Sequence, residues 1–334
     1  MKTRHHTVTW PRTLAGIGLL ALPASLLAQP SLGGHYPIGV EGIKGGSLPP
    51  PGLYLRDYNL FYYADRLNDP GSGSVGDLNL SVYAQALRPV WITDLKIAGA
   101  SYGLDCLVPF IYTDFKLQLP GSGGGPPPDD YPLARRPSPK RAANGDGPVI
   151  ADSSFGLGDI FVEPITLSWH WKQADLGVGY GLWLPTGRSS GSSPAKPGKG
   201  FWSNMLTLGG TWYPDAEKTW SVSVLNRYEI HTEQRDCDIT PGDTFSLEWG
   251  VSKSLTKTLE VGAAGYYQQQ TTKDQQHGAT PASPNLDRVF GAGPEVMLVV
   301  PKWSLFVSLR YLREFGAMDR PEGNTLTLTL TKKL

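Results

Sequence analysis

Residues 219–272 read TWSVSVLNRYEIHTEQRDCDITPGDTFSLEWGVSKSLTKTLEVGAAGYYQQQTT, and three segments of this stretch, 219–232, 243–254 and 258–272, form strands in which apolar and polar residues alternate. In the first, Trp220, Val222 and Val224 share one face, continued by Tyr228 and Ile230, while Thr219, Ser221, Ser223, Arg227, Glu229 and His231 share the other. In the second, Phe245, Leu247, Trp249 and Val251 alternate with Thr244, Ser246, Glu248 and Ser252. A period of two marks strands whose two faces meet unlike surroundings. The connectors also differ. A wide Gly/Pro/Asp loop, 233–242, joins the first pair of strands, and a short turn, 255–257, joins the second.

The same alternation of connectors runs along the whole chain. Short turns fall at 93–96, 172–174, 214–218, 255–257 and 301–302, and wide loops at 66–77, 116–155, 187–199, 233–242, 273–286 and 317–322. A soluble sandwich has no reason to gather its long loops at one end. An outer-membrane barrel does, with short periplasmic turns and long extracellular loops. The expected fold is therefore all-β, a transmembrane antiparallel up-and-down barrel of about twelve strands, at 53–65, 78–92, 97–115, 156–171, 175–186, 200–213, 219–232, 243–254, 258–272, 287–300, 303–316 and 323–334. An even count puts both ends of the mature chain in the periplasm.

The rest of the sequence supports this reading. Lys and Arg number 30, as do Asp and Glu, so no net charge points to nucleic acid. A mean hydropathy of −0.24 is too polar for a helical membrane protein and suits a barrel in which every second residue faces a wet lumen. Residues 1–28 have the form of a cleaved signal peptide: Lys2, Arg4 and Arg12 precede an apolar run at 14–27, and Ala28 precedes the cut. Cys106 in a strand and Cys237 in a loop imply neither a disulfide framework nor a thiolate metal site.

Tryptophan placement agrees. Trp91, Trp169, Trp171, Trp212, Trp220 and Trp303 sit at strand ends beside short turns, where a periplasmic aromatic girdle belongs, and Trp183 and Trp202 flank a wide loop and suit the opposite girdle. Residues 29–52, rich in Gly and Pro, precede the first strand as a periplasmic segment or as a plug inside the barrel, leaving 53–334 as the barrel itself. The loop 116–155 exceeds ordinary connections and either projects outward or folds inward as a constriction.

On the faces expected to point inward lie Asp105, Glu163, Arg227, Glu229, Glu248, Glu295, Arg310 and Glu314, with Arg56, Arg88 and Asp57 as further candidates. Opposite charges on neighbouring strands can pair and fill a lumen, or line a path for a solute. Aromatics near the loops, Tyr62, Tyr112, Tyr266 and Phe315, are candidates to meet a solute first.

Catalysis finds little support. Ser223 and His231 share a face eight residues apart, about 26 Å at ~3.3 Å per residue, too far for a nucleophile and its base. There is no Gly-x-Ser-x-Gly elbow and no His-Glu-x-x-His. The acids around Cys237, with Asp243, lack the regular spacing of a calcium loop. No cofactor, no metal and no catalytic residue is expected.

Several stretches carry a resemblance to a known family: HYPIGVEGIKGGSLPPPGLYLRDYNLFYYADRL, VWITDLKIAGASYGLDCLVPF, FGLGDIFVEP, GYGLWLPTG, PGKGFW, DRVFGAGPEV and LRYLREFGAMDRPEGNTLTLTLTKKL, together with the 218–255 region. In this order they resemble the MetA-pathway of phenol degradation family of outer-membrane barrel transporters. The resemblance implies passive uptake of small aromatic or hydrophobic molecules across the outer membrane of a Gram-negative cell. It also implies contact with outer-membrane lipid, lipopolysaccharide and the barrel-assembly machinery. A non-transporting surface barrel and a barrel enzyme acting on envelope lipids are the alternatives. The chain departs from the usual aromatic barrel terminus by ending in Leu334, and its loop 116–155 is longer than the family leads one to expect.

Overall fold

The computed structural model describes residues 33–69, 73–74, 76–119, 147–190, 193–235, 238–276 and 286–334. The expected signal segment 1–28, the centre of the loop 116–155, Cys237 and His277 lie outside the described residues.

Twelve antiparallel staves close into a barrel. They are β1 (Gly52–Asp69), β2 (Asp77–Ile97), β3 (Ala100–Gln118), β4 in two segments (Val149–Leu157 and Ile160–His170), β5 (Ala174–Leu184), β6 (Ser203–Trp212), β7 (Trp220–His231), β8 (Thr244–Ser254), β9 (Leu259–Gln270), β10 (Arg288–Val300), β11 (Leu305–Met318) and β12 (Arg320–Lys333). Each stave pairs with its neighbours in sequence, and β12 closes on β1 from Tyr54↔Lys333 to Asn68↔Arg320. Closure pairs every stave with a neighbour on both sides, as a hydrocarbon environment demands.

Register follows the alternation. Trp249 of β8 lies opposite Val224 of β7 and Val251 opposite Val222, and all four are exposed on the outer face. Three residues along, on the other face, Ser246 opposes Arg227, and both are buried inside. A slip by one residue would turn every charge outward into lipid, so the pattern fixes the register.

Several boundaries differ from expectation: β1 runs on to Asp69, and the expected short turn 93–96 lies within β2, the turn itself falling at Ala98 and Gly99, both at positive φ. The alternation Phe115–Leu117–Leu119 continues past the expected end of β3, and 149–157 pair with it, so strand replaces both flanks of the loop 116–155. These apolar residues pack inward on Ala64, Leu67, Leu78 and Leu80. The fourth stave breaks at Gly158–Asp159, where the Asp159 carboxylate turns inward to accept the backbone N–H groups of Gly187 at 2.9 Å and Lys199 at 2.7 Å. The expected wide loop 317–322 is a tight turn in which Asp319 has φ +57° and Glu322 accepts the N–H of Ala317.

Candidate functional site

Residues 33–51 lie within the barrel. Lys199, in the wide loop between β5 and β6, donates to the carbonyls of Gly33 and Gly34, while Gly46 donates to Ser223 and Ser47 to Asp175 near the short turns. The segment therefore runs down the lumen and enters β1 at the short-turn end. Residue 33 thus sits at the wide-loop end, whereas β1 begins and β12 ends beside the short turns; the expected mature N-terminus lies outside the described residues.

Such a segment has few internal hydrogen bonds, and its buried N–H groups need acceptors. Acids on the staves supply them. Glu229 accepts from the N–H of His35 at 2.9 Å and of Tyr36 at 3.1 Å; Glu248 accepts from Glu41 at 3.1 Å; Glu295 accepts from Ile43 at 2.9 Å. Arg310 donates to the Val40 carbonyl at 2.7 Å and pairs with Glu295 at 2.9 Å. The Tyr36 hydroxyl donates to Glu248 in a short contact. Gly42 has φ +76°, and a Cβ there would lie 1.9 Å from Arg310 Nη1, so only glycine allows this turn beside the guanidinium. Gly250 allows the matching approach from the wall, since a Cβ on it would lie 2.5 Å from the Ile43 backbone.

At mid-lumen the segment contributes a charge of its own. Glu41 sits among three guanidiniums, 2.8 Å from Arg56, 2.8 Å from Arg88 and 3.3 Å from Arg227. Burial alone would raise its pKa; the three cations override burial and hold the carboxyl well below the usual carboxylate range. Arg88 also grips Asp105 through two bonds and reaches Glu163 at 3.0 Å. Arg227 stacks 4.0 Å from the Tyr36 ring. Removing the segment would leave these guanidiniums short of one carboxylate.

Above this network, the wide-loop end is buried and aromatic. The His35 ring lies 5.5 Å from Trp183 and 4.5 Å from Phe201. Ser203 lies between two imidazoles, 2.7 Å from His35 Nδ1 and 2.6 Å from His231 Nδ1, and His35 Nε2 faces Asp159 at 3.0 Å. One neutral assignment satisfies every contact: His231 Nδ1–H donates to Ser203, Ser203 O–H donates to His35 Nδ1, and His35 Nε2–H donates to Asp159. Burial lowers the His35 pKa to about 4, with Asp159 opposing in part, so the ring is neutral at pH 7. Burial likewise lowers the Lys199 ammonium to about 8 against the pull of Glu229, Asp287 and Asp159. His35, Glu229 and His231 bring their ligand atoms within 4.8 Å of one another, but the hydrogen bonds above already account for these groups.

Below the network the lumen is hollow. A cavity of about 480 Å³ lies between residues 41–50 and the wall and reaches Pro50, Tyr54, Phe306 and Lys333 at the short-turn end.

A family model matches residues 64–330. The chain belongs to the MetA-pathway of phenol degradation family. Its fold is similar to that of the COG4313 outer membrane channel from Pseudomonas putida F1, with a TM-score of 0.66 and 13% identity, covering 86% of this chain and 97% of that one. Weaker likenesses include the β domain of the Bordetella autotransporter BrkA (TM-score 0.45, 11% identity, 86% and 100% covered) and the CymD monoaromatic hydrocarbon channel (TM-score 0.42, 11% identity, 86% and 89% covered). Comparison with curated proteins gives no match. Family and fold together identify an outer-membrane barrel of a Gram-negative cell, its apolar outer face in lipid.

Family membership leaves the individual side chains to be placed by the structure. Asp105, Glu163, Arg227, Glu229, Glu248, Glu295, Arg310 and Glu314 are all buried inside the barrel, and Arg88 joins them. Arg56 also points inward, to Glu41, but Asp57 lies on the outer face, where Gln85 donates to it at 3.2 Å. Asp57 follows Arg56 in one strand, so the two cannot share a face. Trp91, Trp171, Trp212, Trp220 and Trp303 are exposed at the short-turn end, and Trp169 donates to the Ala98 carbonyl there. Trp202 is exposed at the opposite end, but Trp183 is 4% exposed and points inward onto His35, which corrects its assignment to a girdle. Tyr62 and Tyr266 point inward, both donating to Glu314 at 2.8 Å, whereas Tyr112 and Phe315 face outward. Sequence reasoning missed Asp159, Lys199 and Ser203. Only the motif FGLGDIFVEP, whose Asp breaks the alternation between two strand segments, hinted at the first.

Proposed function

We propose that the protein is a passive outer-membrane channel for small hydrophobic, chiefly aromatic molecules, closed at rest by residues 33–51 acting as a plug. One observation carries this reading: charges of the inner wall bind the backbone of the N-terminal segment, while a cavity of about 480 Å³ remains beneath it. A barrel built only as a scaffold would gain more from charges paired with each other. Movement of the segment, not of the staves, would open the path. On this reading Asp105, Glu163, Arg227, Glu229, Glu248, Glu295, Arg310 and Glu314 hold the segment and set the polar landscape of the passage. Trp91, Trp169, Trp171, Trp212, Trp220 and Trp303 anchor the periplasmic interface. Lipopolysaccharide would surround the wide-loop end, and β12 would present the signal to the barrel-assembly machinery.

We read the protein as a channel rather than an enzyme. Ser203, His35 and Asp159 approach the geometry of a hydrolase, but Ser203 is 0% exposed beneath Phe201. The test is toluene flux into proteoliposomes with bilayer conductance alongside. Flux is expected, and it should increase when residues 33–50 are deleted. No flux and no conductance from either form would overturn the channel reading.

A further inference from the structure

We propose that the hollow beneath the plug is a binding site for the carboxylate head of a small apolar acid. The proposal rests on the channel reading for its supply of solute and extends it from apolar molecules in general to those bearing an anionic group. The cavity, about 480 Å³, is of ligand size. Its flanks are apolar: Leu48, Val178, Leu225, Met297 and Phe306 line it. Its unpartnered polar groups lie on two walls: Arg227 Nε and Nη1, Thr166 Oγ1 and Thr207 Oγ1 stand on the same side as Glu163, and a second set faces them.

On one wall, formed by β11, β12 and β1, the buried donors Arg310 Nε, Arg56 Nε and Thr329 Oγ1 have no hydrogen-bond partner among the described residues. Their staves are adjacent: Thr329 pairs in register with Ser308 and with Tyr58, and Arg56 pairs with Thr331. Arg310 is 2% exposed and Thr329 is 5% exposed, and both line the cavity. A buried guanidinium N–H without an acceptor is costly, and a ligand oxygen would relieve that cost.

The charge balance gives the sign of the ligand. Six cationic side chains and four anionic ones line the cavity, and one of the cations, Lys44, is paired with Glu260 outside it. All four acids are already engaged: Glu41 with Arg56, Arg88 and Arg227, Asp105 and Glu163 with Arg88, and Glu295 with Arg310. Lys333, at the mouth, lies 5.7 Å from the Tyr54 ring and has no ion pair among the described residues. The free Oε1 of Glu163 lies on the opposite wall, so it would repel a carboxylate toward Arg310 and Thr329. The apolar body would then lie along Met297, Phe306 and Leu225.

The test is calorimetric titration of the full-length protein in detergent with 4-ethylbenzoate and with its neutral counterpart 4-ethylbenzyl alcohol. The acid should bind tighter by on the order of tenfold, because charge-assisted bonds exceed neutral ones. Thr329→Val, which removes a hydroxyl bonded to nothing else, and Arg56→Lys, which keeps the charge beside Glu41, should each weaken the acid several-fold and leave the alcohol unchanged. Equal binding of acid and alcohol, or variants that leave acid binding intact, would overturn the site. Toluene flux measured on the same preparation separates the two readings. Flux without acid preference removes the site and keeps the channel; acid binding without flux keeps the site and removes the channel.

Discussion

The two ends of the lumen are built from the same alternating staves, yet they hold the N-terminal segment by different means. Toward the wide loops the segment is gripped everywhere: Glu229, Lys199, Ser203 and Asp159 reach it, and Trp183 and Phe201 cover it. Toward the short turns it is tethered at a few points, Glu295, Ser223, Asp175 and Glu260, above open space. The division falls at Glu41. A plug that is tight above and loose below closes the passage at the cell surface while leaving room for a solute on the periplasmic side. Perturbing the upper half should therefore open the barrel, and perturbing the lower half should not.

Deleting residues 33–50 tests the whole plug and should give the largest effect. A twelve-stave barrel lies between those filled by side chains and those with an aqueous pore, so conductance should rise on the order of tenfold in planar bilayers. Unchanged conductance would mean that side chains of the wall, not the segment, close the lumen.

Glu41→Gln comes next. It removes the carboxylate shared by Arg56, Arg88 and Arg227 and leaves Arg56 without an ion pair among the described residues. Breaking a buried pair typically costs about 3–5 kcal/mol. Here the loss should appear as frequent open events and as faster proteolysis of the segment, with the barrel still intact. If the variant stays closed, the mid-lumen network stabilises the wall rather than the plug.

Acid should loosen the upper half specifically. Docked His35 has its pKa lowered to about 4 by burial, against 6.5 when free. The released form thus binds the extra proton first. Docking stability is complete above pH 6.5, falls as pH drops through that value, and levels off near pH 4 at a loss of roughly 3 kcal/mol. Asp159 faces the ring and would welcome the charge, whereas Lys199 and His231 oppose it. Open probability should therefore rise between about pH 7 and pH 4.5, and His35→Gln should flatten that rise. A flat profile in the parent protein would show that the histidine remains docked when protonated.

The sequence revealed the barrel more fully than the plug, for a physical reason. Each stave meets lipid on one face and the lumen on the other, and two unlike solvents write a period of two into residues such as Trp220, Val222 and Val224. The inward acids and arginines could be found by the same count. Their partners could not. Glu229 and Glu295 bind backbone N–H groups, which every residue has, so nothing in the composition of HYPIGVEGIKGG names them. Trp183 has the sequence position of an interface residue, but the ring of His35, from a segment some 150 residues earlier, gives it an inner partner. Asp57 shows the converse error: a charge assigned inward by type is placed outward by its neighbour Arg56.

The smallest effect is expected at the lower tether, and it is the sharpest test of the comparison. Lys44 bonds Glu260 at 2.6 Å, closer than any of the Glu41 pairs, but its side chain is 29% exposed, against 5% for Glu41. Distance alone would rank Lys44 as the stronger anchor. Exposure argues the opposite, because water solvates the ammonium in both docked and released states and leaves little net gain. Lys44→Met should therefore cost less than about 1 kcal/mol and leave the closed conductance unchanged. If it opened the barrel as far as Glu41→Gln does, the lower half would bear on closure as much as the upper. The cavity beneath the plug would then be a consequence of loose packing, not a chamber kept clear for a solute.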